Sequence, residues 1–157
     1  MNKFSFILHP HTQQDYVERF PVIGYLPKFV FKGVTRVLPP FKVSGIKGIQ
    51  SSFAQAEGEF ICCPLLAEQL RELPPELVLN KIIKAVKLAK RNGAKLVGLG
   101  TFASVISEGG VRVAQEADMP VTTGDSYNVF MALEGLKEVA KWMELDGAGT
   151  NVVVLGA

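Results

Sequence analysis

Two short segments place small hydroxyl-bearing residues and glycines just after apolar runs. Backbone N–H groups and hydroxyls so arranged can hold a carbonyl or an anionic group. One segment is Gly98-Leu99-Gly100-Thr101-Phe102-Ala103-Ser104. Its glycines permit close backbone approach, and Thr101, Ser104 and Ser107 supply hydroxyls. The other is Val121-Thr122-Thr123-Gly124-Asp125-Ser126-Tyr127-Asn128. There Gly124 bends the backbone and Asp125 or Ser126 opens a helix, whose first N–H groups favour an anionic or carbonyl-bearing ligand. Each segment also has a purely structural reading, with Ser104 capping one helix and Asp125 or Ser126 the next; capping and binding are compatible. If the preceding strands are parallel, both loops leave the sheet on one edge and line one cleft. Thr101, Ser104, Thr123, Asp125 and Ser126 are therefore the candidate substrate-binding residues.

Three further features bear on chemistry. Val152-Val153-Val154-Leu155-Gly156-Ala157 has the pattern of a strand entering a dinucleotide-binding turn. Gly156 would be the first glycine of that turn and the one candidate cofactor-binding residue, with an apolar strand that merely ends in glycine as the alternative. Between Arg19 and Ala56 the chain has no Asp or Glu, while Lys28, Lys32 and Arg36 recur at i, i+4 and i+8. That cationic stripe suits an acidic partner such as an acyl carrier protein, or an anionic membrane surface; the alternative is a solvated helix face. Cys62 and Cys63 are the only cysteines, with no histidine close in sequence to activate them, and read as core packing. His9 and His11 flank Pro10 without an accompanying acidic or thiol cluster, so no metal site and no catalytic residue is assigned.

The elements that must position these groups follow from periodicity and punctuation. Residues 4–8 read as a first strand and 12–20 as a helix with Thr12 as N-cap and Asp15 in its first turn. A helix over 25–37 ends at Pro39-Pro40. Residues 41–63 read as two or three strands forming a hairpin-like insertion, the last over 59–63. A helix over 75–92 has Pro75 at its start, Asn92-Gly93 at its end, and an apolar stripe of Val78, Ile82, Ala85, Val86 and Ala89. Then come a buried strand over 95–100, a helix over 111–117, a short strand over 120–123, a long helix over 127–145 and a last buried strand over 150–157. This alternation predicts an α/β fold, a mainly parallel sheet with helices on both faces, ending at the start of a Rossmann unit. Residues 1–148 would form a substrate-side domain, and 149–157 the first strand of a dinucleotide-binding domain whose remainder is missing.

The bulk properties are those of an ordinary globular chain. Of 157 residues, 48% are hydrophobic and 20% charged, and the formal net charge is +2. Such a balance gives no electrostatic footprint for nucleic acid. Adjacent cysteines make no disulfide framework, and no secretory signal or membrane span is visible, which favours a cytoplasmic setting.

Leu99 to Glu108, Thr122 to Tyr127, the Cys63-Pro64-Leu65-Leu66 run and the terminal valines together resemble the front half of the long-chain acyl-(acyl-carrier-protein) reductases. Their relatives include predicted amino-acid dehydrogenases, and their architecture is similar to shikimate dehydrogenase. The resemblance covers residues 41–157. It implies an N-terminal substrate-binding domain of an NAD(P)-dependent oxidoreductase, taking an acyl thioester or other carbonyl compound. A cysteine beyond the dinucleotide unit would take the acyl group, and NADP or NAD would serve the longer protein. Where the family carries Asn after the Thr-Thr-Gly glycine, this chain has Asp125, which disfavours an anionic ligand there. The resemblance also admits a shikimate-like or amino-acid dehydrogenase, with a small polar substrate. A non-catalytic domain docking an acidic carrier protein through Lys28, Lys32 and Arg36 is the reading outside enzymes. By itself the chain is expected neither to turn over nor to bind dinucleotide with micromolar affinity. The sequence leaves the oligomeric state open.

Overall fold

The computed structural model describes residues 2–18, 20–145 and 149–154, and for Thr101 and Phe102 the backbone only. The chain divides into two compact units, Met1–Thr123 and Gly124–Ala157. In the first unit the strands are β1 (Asn2–Leu8), β2 (Phe41–Gln50), β3 (Gln55–Cys62), β4 (Leu96–Leu99) and β5 (Val121–Thr122). They form one sheet in the order β2-β3-β1-β4-β5. β3, β1, β4 and β5 are mutually parallel, and β2 is antiparallel to β3 at the rim. The α/β, mainly parallel architecture expected from the alternation is the one found. The hairpin over 41–63 consists of two strands, and its second strand belongs to the body of the sheet rather than to an insertion.

One face of the sheet presents Ile7, Ile61, Val97 and Leu99, all buried, in register across β1, β3 and β4. Against it pack α4 (Pro75–Arg91) and α6 (Val111–Ala117). α4 forms as its sequence dictates: Pro75 and Glu76 open it, Lys90 and Arg91 close it, and Val78, Ile82, Ala85, Val86 and Ala89 are buried. The other face carries Phe4 and Phe6, whose rings lie over Gly58 and Gly98. A Cβ on Gly58 or Gly98 would come within 2.5 Å and 2.6 Å of those rings, so a side chain at either position would have to displace a phenyl ring.

Glu59 on β3 is buried in the middle of the sheet, level with Ser5 of β1. Its Oε1 accepts hydrogen bonds from Asn92 Nδ2 at 2.8 Å and Ser5 Oγ at 3.2 Å. Its Oε2 faces Lys42 Nζ at 3.1 Å and Lys3 Nζ at 3.8 Å, as ion pairs. This knot joins the end of α4 to three strands.

A second, smaller core gathers Tyr16, Phe31 and Leu66. It involves α1 (Gln14–Val17), a 3-10 turn (Pro21–Tyr25), α2 (Lys28–Val37) and the start of α3 (Ala67–Glu72). The helix expected over 12–20 is thus reduced to one turn, and Thr12 does not cap it. Instead Asp15 Oδ2 accepts from the N–H groups of His11 at 2.6 Å and Thr12 at 3.0 Å, so the loop itself is pinned. The helix expected from residue 25 starts at Lys28, because Pro27 fixes the extended backbone before it.

In the second unit, α7 (Asp125–Trp142) carries the expected stripe of Val129, Ala132, Leu133, Leu136 and Ala140, but none of its residues is buried. Met143, the last member of that stripe, follows the helix and is also exposed. Its N-cap is Gly124 in the left-handed region at φ 80°, which places Asp125 and Ser126 in the first turn rather than at the cap. The buried strand expected over 150–157 is not found over its described part. Residues 151–154 have no strand conformation, and Val152, Val153 and Val154 are exposed. An apolar run becomes a strand only with a partner to bond, and these residues join no ladder of the sheet. Gly156 lies outside the described residues.

Candidate functional site

All four parallel strands end on one edge, where open α/β sheets bind ligands. β1 runs into His9-Pro10-His11, β3 into Cys63-Pro64, β4 into Gly100-Thr101 and β5 into Thr123. Backbone bonds lock these exits together: Cys63 N–H donates to Leu8 O at 2.9 Å, Ala67 N–H to Pro10 O at 3.1 Å and Gly100 N–H to Ile7 O at 3.2 Å. A Cβ at Gly100 would lie 3.1 Å from Ile7 O, which explains the glycine. The chain leaves β1 toward β3 and leaves β4 toward β5, the reversal that opens a crevice in such sheets.

Beside the end of β1 lies a cavity of about 360 Å³. Leu8, Pro10, Phe20, Phe41 and Val43 make it mainly apolar, and His9, His11, Asp15, Tyr16 and Cys62 supply its polar groups. Most of these are already committed. Asp15 holds the loop N–H groups, and the Tyr16 hydroxyl donates to Pro64 O at 2.7 Å and sits 4.0 Å from Cys62 Sγ. His9 is the more enclosed of the two imidazoles: both of its ring nitrogens are shielded from solvent, with the Cys63 backbone as a weakly placed hydrogen-bond partner. Burial pushes its imidazole down to about 4; the nearby Cys63 backbone offsets part of this and His11 adds to it. At neutral pH His9 is therefore uncharged.

The thiols are also neutral. Burial pushes Cys62 up to about 11 and Cys63 up to about 12, so neither is a nucleophile at neutral pH. Both are buried, as their packing role requires. His9 follows the partner residue of Cys62 across the β1–β3 ladder, a proximity that sequence distance conceals. Among the described residues no group of three or more His, Cys, Asp or Glu side chains is placed to hold a metal ion.

No family model matches the chain. Over 162 aligned residues, 98% of the chain is 25% identical to part of the aminotransferase PigE of Serratia sp. (strain ATCC 39006). The chain spans 19% of that protein's length. It therefore resembles one segment of a much larger enzyme. That relative is an aminotransferase, neither an acyl-(acyl-carrier-protein) reductase nor a shikimate dehydrogenase.

The residues singled out from sequence divide between the two units. Thr101 and Thr123 follow the adjacent parallel strands β4 and β5, so their loops share an edge as expected. Ser104 is not a cap: α5 (Thr101–Ile106) starts from Gly100, and Ser104 stands inside it, its N–H donating to Gly100 O at 3.1 Å. Asp125 and Ser126 belong to α7 in the second unit. Neither Ser104 nor Thr123 lines the cavity beside β1. What sequence reading missed is His9, and the signal available was its position directly after the first buried strand.

Among the described residues no helix is long and apolar enough to cross a membrane. Of the cationic stripe, Lys32 is engaged by Glu68 at 3.3 Å and Glu72 at 3.5 Å.

Proposed function

We propose that this chain is the substrate-binding domain of a larger NAD(P)-dependent oxidoreductase, and that it holds the apolar carbonyl or acyl-thioester substrate. The observation that carries this reading is the uncharged His9 imidazole, only weakly engaged by the Cys63 backbone, beside an apolar cavity at the carboxyl edge of the sheet. A buried polar group without a partner costs about 1–3 kcal/mol, and a ligand group that it can bond offsets that cost. Rotation of the ring brings an N–H toward the cavity, where a neutral imidazole donates to a carbonyl oxygen without surrendering a proton. The apolar walls favour an alkyl or acyl body over a small polar acid, which speaks against the shikimate-like alternative. The similarity to a segment of an aminotransferase is compatible with a carbonyl-binding role, since amino transfer requires a carbonyl acceptor. NADP or NAD, and the group that takes the acyl chain, would be held elsewhere in the longer protein.

A medium-chain methyl ketone, titrated into the chain while the histidine side-chain resonances are followed by NMR, tests this. Saturable binding should shift His9 and weaken about tenfold or more in His9→Leu, the loss of about one hydrogen bond in a dry site. Binding that ignores His9→Leu and perturbs only the Thr101 and Thr123 loops would move the site to the other half of the edge.

A further inference from the structure

We infer that residues 20–37 form a surface that docks on an anionic phospholipid bilayer. α2 turns much of its apolar surface away from its own core. Only Phe31 and Thr35 are buried, Phe31 edge-on to Tyr16 at 5.1 Å between ring centroids and Thr35 bonded to Gln69 at 2.8 Å. Phe29 and Val37 remain 78% exposed, and in the preceding turn Tyr25 is 89% and Val22 76% exposed. Single exposed apolar residues need no explanation, but several bulky ones in one stretch do.

The charges complete the pattern. No Asp or Glu occurs between Arg19 and Ala56. Lys32 is paired with Glu68 and Glu72, but Lys28 and Arg36 are exposed and have no carboxylate partner among the described residues. On α2, Lys28, Lys32 and Arg36 fall along one side, and Phe29 and Val37, also eight residues apart, fall along another. A bilayer interface accepts both groups at once: the phosphates take the cations, and the boundary with the acyl region takes the aromatic and branched side chains. An acidic protein surface satisfies Lys28 and Arg36 alone. No described helix can cross a membrane, so the contact is peripheral. This inference does not depend on the substrate proposed above.

Co-sedimentation of the full chain with vesicles tests it. The chain should sediment with phosphatidylcholine vesicles containing phosphatidylglycerol, less so as salt rises, and not with phosphatidylcholine alone. Each cation near an anionic surface contributes about fivefold, so Lys28→Gln with Arg36→Gln should weaken binding about thirtyfold. Tyr25→Ser with Phe29→Ser should weaken it about tenfold. All four positions are exposed, so the circular dichroism of both variants should match the parent. Absence of sedimentation with the anionic vesicles at low salt overturns the inference. So does binding that survives the aromatic pair of changes and depends on charge alone, the behaviour expected of a site for an acidic protein.

Discussion

Glu59→Gln isolates the buried charge in the middle of the sheet while keeping the side chain's shape. The amide oxygen can still accept from Asn92 and Ser5, so those bonds persist. Lost is the negative charge facing Lys42 at 3.1 Å and Lys3 at 3.8 Å, and the amide N–H₂ now points at two ammonium groups. Removing one partner of a buried ion pair costs about 3–5 kcal/mol when the other charge is stranded in the interior. Here the lysines are half-exposed and can turn to water, which puts the expected loss at the lower limit, about 3 kcal/mol. In a chain of this length that lowers the melting temperature by about 6–12 °C. The pH dependence supplies a second, independent check. Burial alone would raise the Glu59 carboxyl, but the Asn92 and Lys42 contacts, with the charges of Lys3 and Lys42, outweigh it and hold the group below its ordinary value. A carboxyl depressed in the folded state contributes stability above its unfolded pKa and loses it as pH falls through the folded value. The gap between parent and Glu59→Gln in urea unfolding should therefore be full at pH 7 and shrink below the usual carboxylate range. A gap under 1 kcal/mol at pH 7, or one that is unchanged in acid, would refute the assignment of Glu59 as a paired carboxylate.

Gly98→Ala sets a methyl group 2.6 Å from the Phe6 ring and should cost about 1–3 kcal/mol by overpacking. Pairing it with Phe6→Leu should recover part of that loss in a double-mutant cycle, and additive costs would show that the two positions do not meet. The His9 imidazole should titrate by NMR with a midpoint about 4 in the folded chain. Because that value lies below the unfolded one, His9 contributes stability that is complete above about 6.5 and declines as pH falls toward 4; a midpoint near 6.5 would remove the dry environment on which the site reading rests. Cys62 and Cys63, pushed up to about 11 and 12, should resist iodoacetamide at pH 8 in the folded chain and react readily in urea. Fast labelling of the folded chain would mean that one of them is a thiolate.

Periodicity and punctuation identified the elements whose stability is local. α4 declares itself through Pro75, its stripe of buried apolar residues and Asn92-Gly93, and β1, β4 and the Phe41 hairpin through short apolar runs between turns. What depends on partners far along the chain was not legible in the same way. Val152 to Val154 have strand composition but no strand to bond, and Thr12 has the type of an N-cap, yet Asp15 takes the loop N–H groups instead. The candidate site fell between these cases. The shared edge of the Thr101 and Thr123 loops followed from the alternation, whereas the cavity beside β1 needs Phe20, Phe41, Val43 and Cys62 brought to His9 from two other strands and the loop after α1.

The two halves of the carboxyl edge differ in chemistry, and that difference separates the roles open to them. The Thr101 and Thr123 exits offer glycines, hydroxyls and helix starts, groups suited to polar atoms. The β1 and β3 exits offer apolar walls, two protonated thiols and two imidazoles, of which the buried His9 is neutral. A charged substrate entering the second half would meet desolvation, because Asp15 is bound to its own loop and Lys3 and Lys42 are engaged by the buried Glu59. An uncharged carbonyl meets no such cost, and its oxygen can accept from a neutral imidazole. Glu59, in the middle of the sheet, fastens the end of α4 to the strands through Asn92. The carboxyl edge is left dry on the side where an apolar acyl group would rest.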